Sequence, residues 1–120
     1  MNYRTALGRW GEQTAESYLI RKGYHIIGKN VRTPYGEIDL IGDEDGIIVF
    51  IEVKTRVSAD FGLPEESITG KKRQHMVNAA EAYVQGHPDQ VKGWRLDVIA
   101  VRKLHGNQIP EIVQFENILT

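Results

Sequence analysis

Glu52 and Lys54 close an apolar run, Ile47-Ile48-Val49-Phe50-Ile51, that would otherwise read as an uninterrupted buried strand. With the two-residue alternation of a strand, both project to one face while Val49, Ile51 and Val53 project to the other. A strand this apolar is covered on both faces, so burying a carboxylate and an ammonium there costs several kcal/mol unless something compensates them. A hairpin through Asp45-Gly46 would set Asp39 opposite Glu52 and Glu37 opposite Lys54. A four-residue turn over residues 43–46 slides the register by two and sets Glu37 opposite Glu52. In either register the four side chains share one face. Carboxylates facing each other across an antiparallel pair repel unless a proton or a cation sits between them. Magnesium suits such a site, because it takes oxygen ligands and commonly keeps positions open for water and substrate phosphate.

Two other groups of charge extend this chemistry. Glu12 lies on a helical stripe with Gly8, Gly11, Ala15 and Leu19. Glycine within a helix costs about 1 kcal/mol against alanine, so two of them around a carboxylate suggest a close approach to a neighbouring element. A packing notch with Glu12 in solvent accounts for the spacing equally well. Lys71, Lys72 and Arg73 open a second helix, where positive charge opposes the helix dipole and a bound phosphate would relieve the conflict. Arg4, Arg9, Arg32 and Arg56 could extend a basic track, although solvated surface charge is the commoner role for each.

The elements that must position these residues follow from pattern. Apolar and small residues at helical spacing from Thr5 to Lys22 predict a helix that Gly23 stops. Strands are expected at Tyr24 to Arg32, Glu37 to Gly42 and Ile47 to Thr55, with turns at Thr33-Pro34-Tyr35-Gly36 and at residues 43–46. Residues 56–67 read as a loop, Thr69 to Gln85 as a second helix, and Trp94 to Lys103 and Gln108 to Phe115 as two last strands. The order is αβββαββ. Its strand-helix-strand crossover implies a parallel pair within a mixed α/β sheet of about five strands flanked by two main helices.

Composition sets the outer bounds. The chain has 120 residues and 41% hydrophobic content, which fits a single domain over residues 1–120. The absence of cysteine excludes disulfides, thiolate metal sites and cysteine nucleophiles. The first residues are too polar for a signal peptide, and no segment approaches the roughly 20 apolar residues of a membrane span, so a cytoplasmic protein without membrane contact is expected. The net charge of -1 conceals uneven placement: six of the fifteen basic residues lie in the first 32 positions, and acid collects at Asp43-Glu44-Asp45 and around Glu37 and Asp39. A basic face beside an acidic pocket is compatible with nucleic acid.

In this context the Glu-x-Lys tripeptide, an Asp-bearing strand before it and a basic helix after it resemble the PD-(D/E)xK nucleases. The literal Pro-Asp is missing, since Ile38 precedes Asp39. The chain more closely resembles the YraN-like (UPF0102-type) family of small bacterial proteins, related to archaeal Holliday-junction resolvases. Gly8-x-x-Gly11-Glu12, Tyr24 with Asn30-x-Arg32, residues 36–41, residues 49–56, Arg95-Leu96-Asp97-Val98 and Glu116-Asn117 carry the resemblance over nearly the whole chain. It implies a restriction-endonuclease-like fold and a Mg2+- or Mn2+-dependent nuclease acting on DNA, branched or structured DNA included. It further implies that Asp39 and Glu52, together with Val53 and Glu12, hold the metal, and that Lys54 positions the nucleophilic water. Arg32, Arg56, Lys71, Lys72 and Arg73 are the expected nucleic-acid contacts. A resolvase-like role would require a homodimer. The competing readings are a nucleic-acid-binding module of the same fold that acts through a DNA-processing partner, and a structural domain in which Lys54 neutralises a buried carboxylate network.

The remaining candidates have plainer roles. His25, His75, His87 and His105 show no ligand spacing and read as surface or structural residues. Arg95 and Asp97 read as a structural ion pair at least as readily as site residues. The loop with Phe61, Gly62 and Glu65-Glu66 could cover a substrate, and Trp10 and Trp94 read as core or interface aromatics.

Overall fold

A computed structural model describes residues 5–57, 70–106 and 109–119. The segment around Phe61, Gly62 and Glu65-Glu66, the start of the second helix at Thr69, and Arg4 lie outside the described residues. The elements are α1 (Ala6–Arg21), β1 (His25–Thr33), β2 (Gly36–Glu44), β3 (Ile47–Val57), α2 (Gly70–Gly86), β4 (Gly93–Lys103) and β5 (Glu111–Phe115). The αβββαββ order and the mixed five-stranded sheet with two helices are those expected from the sequence. Among the described residues, no helix is long and apolar enough to cross a membrane.

The five strands lie in the order β1-β2-β3-β4-β5. Every neighbouring pair is antiparallel except β3 and β4, which α2 connects as a crossover. Each face buries its own cluster. One packs Ala15 and Leu19 of α1 on Leu40, Val49, Ile51 and Ile99. The other packs Ala79 and Ala80 of α2 on Ile41, Ile48, Phe50 and Leu96. Alternation along β3 therefore sends odd residues towards α1 and even residues towards α2, which places Glu52 and Lys54 under α2.

The β2–β3 hairpin has the two-residue turn: Glu44 pairs with Ile47 and Asp43 with Ile48. Asp45 and Gly46 both take positive φ, 53° and 91°, as a type I′ turn requires. The Asp43 carboxylate accepts the Gly46 N–H at 2.8 Å and secures the turn. The alternative four-residue register is thereby excluded.

Thr5 caps α1, its Oγ1 accepting the Gly8 N–H at 2.9 Å. Of the two glycines around Glu12, Gly11 is the notch: a Cβ there would come within 2.9 Å of Thr55 Cγ2 on β3. A Cβ on Gly8 would meet nothing nearer than the capping Thr5 hydroxyl at 3.2 Å. The close approach of α1 to the sheet therefore rests on Gly11 alone, and it places Glu12, the next residue, at the edge of β3.

Candidate active site

The β2–β3 ladder ends at Leu40 and Ile51. Beyond that pair the strands part, and the backbone groups that would have continued the ladder need other partners. Asp39 supplies one, its Oδ2 accepting the Val53 N–H at 2.8 Å. Within a strand the N–H and C=O of one residue point to the same side, so the Val53 carbonyl also faces the gap. The parting disturbs alternation as well. Ile38, two residues before Leu40, packs in the α2 cluster although Leu40 belongs to the α1 cluster.

A cavity of about 640 Å³ opens at this point, lined by Glu37 and Asp39 of β2, Glu52 of β3, Glu12 of α1 and Lys72 of α2. The gap between β2 and β3 lets helices on opposite faces of the sheet border the same space. A smaller cavity of about 400 Å³, between α1 and β1, shares Glu12 and is also lined by Arg9 and Lys29.

Glu52 is the hub of the charges. Its Oε1 lies 3.5 Å from Lys54 Nζ and 3.1 Å from Lys72 Nζ, and its side chain is only 13% exposed. Asp39 is in electrostatic conflict. Burial, then the charge of Glu52 and more weakly that of Glu12, push its carboxyl from 3.8 up to about 7, against the opposing pull of the Val53 N–H. Burial lowers the pKa of Lys72, but the charge and hydrogen bond of Glu52 outweigh it, so its ammonium holds its proton above the ordinary lysine value.

The structure thus brings Asp39, Glu52, Lys54, Glu12 and the Val53 backbone to one place. Among the described residues, no three His, Asp or Glu side chains form a group that could hold a metal. The two-carboxylate pair still fits magnesium, which commonly takes one or two carboxylates and completes its shell with water and phosphate. A cation there would also relieve the repulsion that, after burial, raises the Asp39 pKa.

The basic residues of the expected track are spread over β1, β3 and α2. Lys72 alone among Arg32, Arg56, Lys71, Lys72 and Arg73 lines the cavity. Helical geometry is the reason: successive residues point about 100° apart, so one of three consecutive cations can face inward. Arg32 stands on edge strand β1 opposite Glu37, and Arg56 donates to the Thr55 carbonyl at 3.2 Å. His75, read from sequence as a surface or structural residue, lines the cavity one turn after Lys72. The stripe Lys72, His75, Met76, Ala79 at i, i+3, i+4 and i+7 was the available signal.

Asp97 belongs to the opposite face. It is fully buried and accepts from Arg95 Nε at 3.0 Å, Arg95 Nη2 at 3.3 Å, Gln114 Nε2 at 2.8 Å and the Asn117 N–H at 2.9 Å. Arg95 also donates to the Tyr24 hydroxyl at 2.8 Å and pairs with Glu44 and Glu116. Desolvation lowers the pKa of its guanidinium, but the bond and charge of Asp97 more than offset that and leave it above the ordinary value. The Arg95–Asp97 pair is structural, tying β4 to β5 and to the chain after it.

Residues 11–101 match the family described as uncharacterised protein family UPF0102. A UPF0102 protein of Caldicellulosiruptor bescii is 47% identical over 96 residues, covering 79% of this chain and 81% of that protein. One of Syntrophomonas wolfei is 44% identical over 95 residues, covering 79% and 83% respectively. One of a Sulfurihydrogenibium species is 43% identical over 106 residues, covering 88% and 90%. Among solved structures, a repair endonuclease from Pyrococcus abyssi is similar at a TM-score of 0.47 and 17% identity, over 87% of this chain and 41% of that one. The chain therefore spans about two fifths of that structure's length.

Proposed function

The chain belongs to the UPF0102 family, and on that premise we propose that it is a divalent-metal-dependent nuclease that hydrolyses phosphodiester bonds in DNA, branched or structured DNA in particular. The observation that carries this reading is the Asp39–Glu52 pair held where β2 and β3 part, with Lys54 Nζ 3.5 Å from Glu52. Two carboxylates and an ammonium beside a strand opening suit phosphodiester hydrolysis better than they suit a purely structural network, which would leave no carboxylate in conflict.

Asp39, Glu52 and the Val53 carbonyl would hold Mg2+ or Mn2+. When bound, such an ion lowers the pKa of water and offsets the charge that develops on the phosphate. Lys54, which can only donate, orients the attacking water through one lone pair and steadies a non-bridging phosphate oxygen. Lys72 reaches in from a different element and exchanges Glu52 for a phosphate oxygen as the strand enters. Glu12 adds negative charge across the gap and accepts from water on the α1 side.

The test is a cleavage panel of single-stranded, duplex, flap and four-way-junction DNA with Mg2+ or Mn2+. Cleavage of at least one substrate by the wild type, lost in Asp39→Ala and in Lys54→Ala, is the expected result. Activity that survives in both variants would overturn the mechanism. A specific observation favours a second reading: Glu52 is already paired with both Lys54 and Lys72, and no three-carboxylate group forms among the described residues. On that reading the chain is a nucleic-acid-binding module acting through a partner. It predicts shifts of labelled DNA without cleavage, and no heat on calorimetric titration with magnesium.

A further inference from the structure

The open edge of β3 continues past the carboxylates. The ladder with β2 stops at Ile51, yet β3 runs on to Val57, paired only with β4 on its other side. Backbone groups leave a strand to its two sides in turn, so the N–H and C=O of Thr55 face the gap two residues after those of Val53. Asp39 satisfies the Val53 N–H. Among the described residues, nothing pairs with the Thr55 N–H on this side.

Arg56 turns towards the same edge. Even residues of β3 start on the α2 face, but Nη1 of Arg56 donates to the Thr55 carbonyl at 3.2 Å, which brings the guanidinium round to the gap. Arg56 is half-buried and forms no ion pair among the described residues. Its neighbour in register on β4 is another cation, Arg102, whose carboxylate partner Glu111 lies 3.6 Å away on β5. Like charges side by side on a sheet repel, and a partly desolvated guanidinium without a counter-ion is costly. An anion at this edge relieves both.

The edge also selects the kind of anion. With the Thr55 carbonyl already taken, it presents only donors, the Thr55 N–H and the remaining N–H groups of the Arg56 guanidinium. A peptide strand adding to β3 would need that carbonyl as an acceptor and would have to displace Arg56. A phosphate takes donors alone, and a guanidinium offers it two parallel bonds. The step from Val53 to Thr55, about 6.6 Å for two residues of strand, is close to the distance between successive phosphates of a nucleic-acid strand.

We propose that the Thr55 N–H and Arg56 form a phosphate subsite beside the reacting centre: with the scissile phosphate at Asp39, Glu52 and Val53, the adjoining phosphate of the same strand is held at Thr55 and Arg56. The inference rests on the nuclease reading and gives the substrate a path, along the open edge of β3. Arg56 then holds one particular phosphate, whereas the exposed Arg32, Lys71 and Arg73 add only general attraction.

The test uses the full chain and a flap DNA, with chelator present so that binding is read without cleavage. Each phosphate around the flap junction is replaced in turn by a neutral methylphosphonate, and affinity is measured for the wild type, Arg56→Ala and Arg56→Lys. One position is expected to weaken wild-type binding about tenfold and binding by Arg56→Ala less than twofold, because the contact is already gone. Arg56→Lys keeps the charge, covers the case in which the alanine variant does not fold, and should retain the sensitive position with a smaller effect. Each protein is compared with itself on different DNAs, so a general loss of affinity cancels. No sensitive position in the wild type, or one whose effect is undiminished in Arg56→Ala or Arg56→Lys, would overturn the subsite. Failure of the nuclease reading shows elsewhere, as absence of cleavage across the panel with Mg2+ or Mn2+, and leaves the scan to stand or fall independently.

Discussion

Two acidic clusters, one fully buried and one partly buried, occupy opposite faces of one sheet, and their bonding differs in kind. Asp97, on the α1 face, has four donors for two oxygens, and the guanidinium beside it also pairs with Glu44 and Glu116. Asp39, on the α2 side, has one backbone donor and two carboxylates nearby, and is pushed up to about 7. Both sit on strands within a few residues of the same level of β3. A buried charge that is fully satisfied holds a structure together, whereas one left in conflict marks a candidate site for a cation or a substrate.

The largest expected effect falls on the satisfied cluster. Asp97→Ala leaves Arg95 and Gln114 without their buried acceptor, and should lower stability by about 3 kcal/mol, read as a fall in the urea midpoint. A change below about 0.5 kcal/mol would mean that the two faces do not differ as argued. On the other side, Asp39→Ala or Lys54→Ala should reduce DNA cleavage at least about a hundredfold, with far less loss of stability than Asp97→Ala. Steady-state cleavage rates beside denaturation curves decide this.

A gain of stability is the sharper test of conflict. Below pH 3.8 both folded and unfolded Asp39 are protonated; between 3.8 and about 7 the unfolded chain releases the proton while the folded chain keeps it. This raised carboxyl therefore supports folding at low pH and loses that contribution as pH rises through the window, with no further loss above about 7. Asp39→Asn keeps an acceptor for the Val53 N–H and removes the charge. Its stability relative to the wild type should be near zero at pH 4 and favourable by about 2 kcal/mol at pH 8. Urea unfolding at several pH values measures it, and a difference independent of pH would remove the conflict from the account.

The smallest effect belongs to Lys72, which is 45% exposed. Lys72→Ala should change stability by less than about 1 kcal/mol and lower the slope of log affinity against log salt by about 1, measured by DNA titration across salt concentrations. An unchanged slope would place Lys72 outside the phosphate path and leave it a partner of Glu52 alone.

Much of the site is legible in the sequence. The sequence confined the hairpin to two registers that both bring Asp39 near the end of β3, and the positive φ values of Asp45 and Gly46 select the two-residue turn. The αβββαββ order, the parallel crossover and the shared face of Glu52 and Lys54 follow equally from periods of 2 and 3.6 along the chain. What decided the rest was packing between elements far apart in sequence. Only the docking of α2 picks Lys72 and His75 out of a run of cations and a scattered set of histidines, and only the seating of Gly11 on Thr55 brings Glu12 to the gap. The parting of β2 from β3 after Leu40 and Ile51 opens the cavity, and the return of β5 and the chain after it satisfies Asp97. Local spacing encodes which residues share a strand face because backbone geometry repeats every two residues. It does not encode which helix surface meets that face, since that depends on the shape of the whole core.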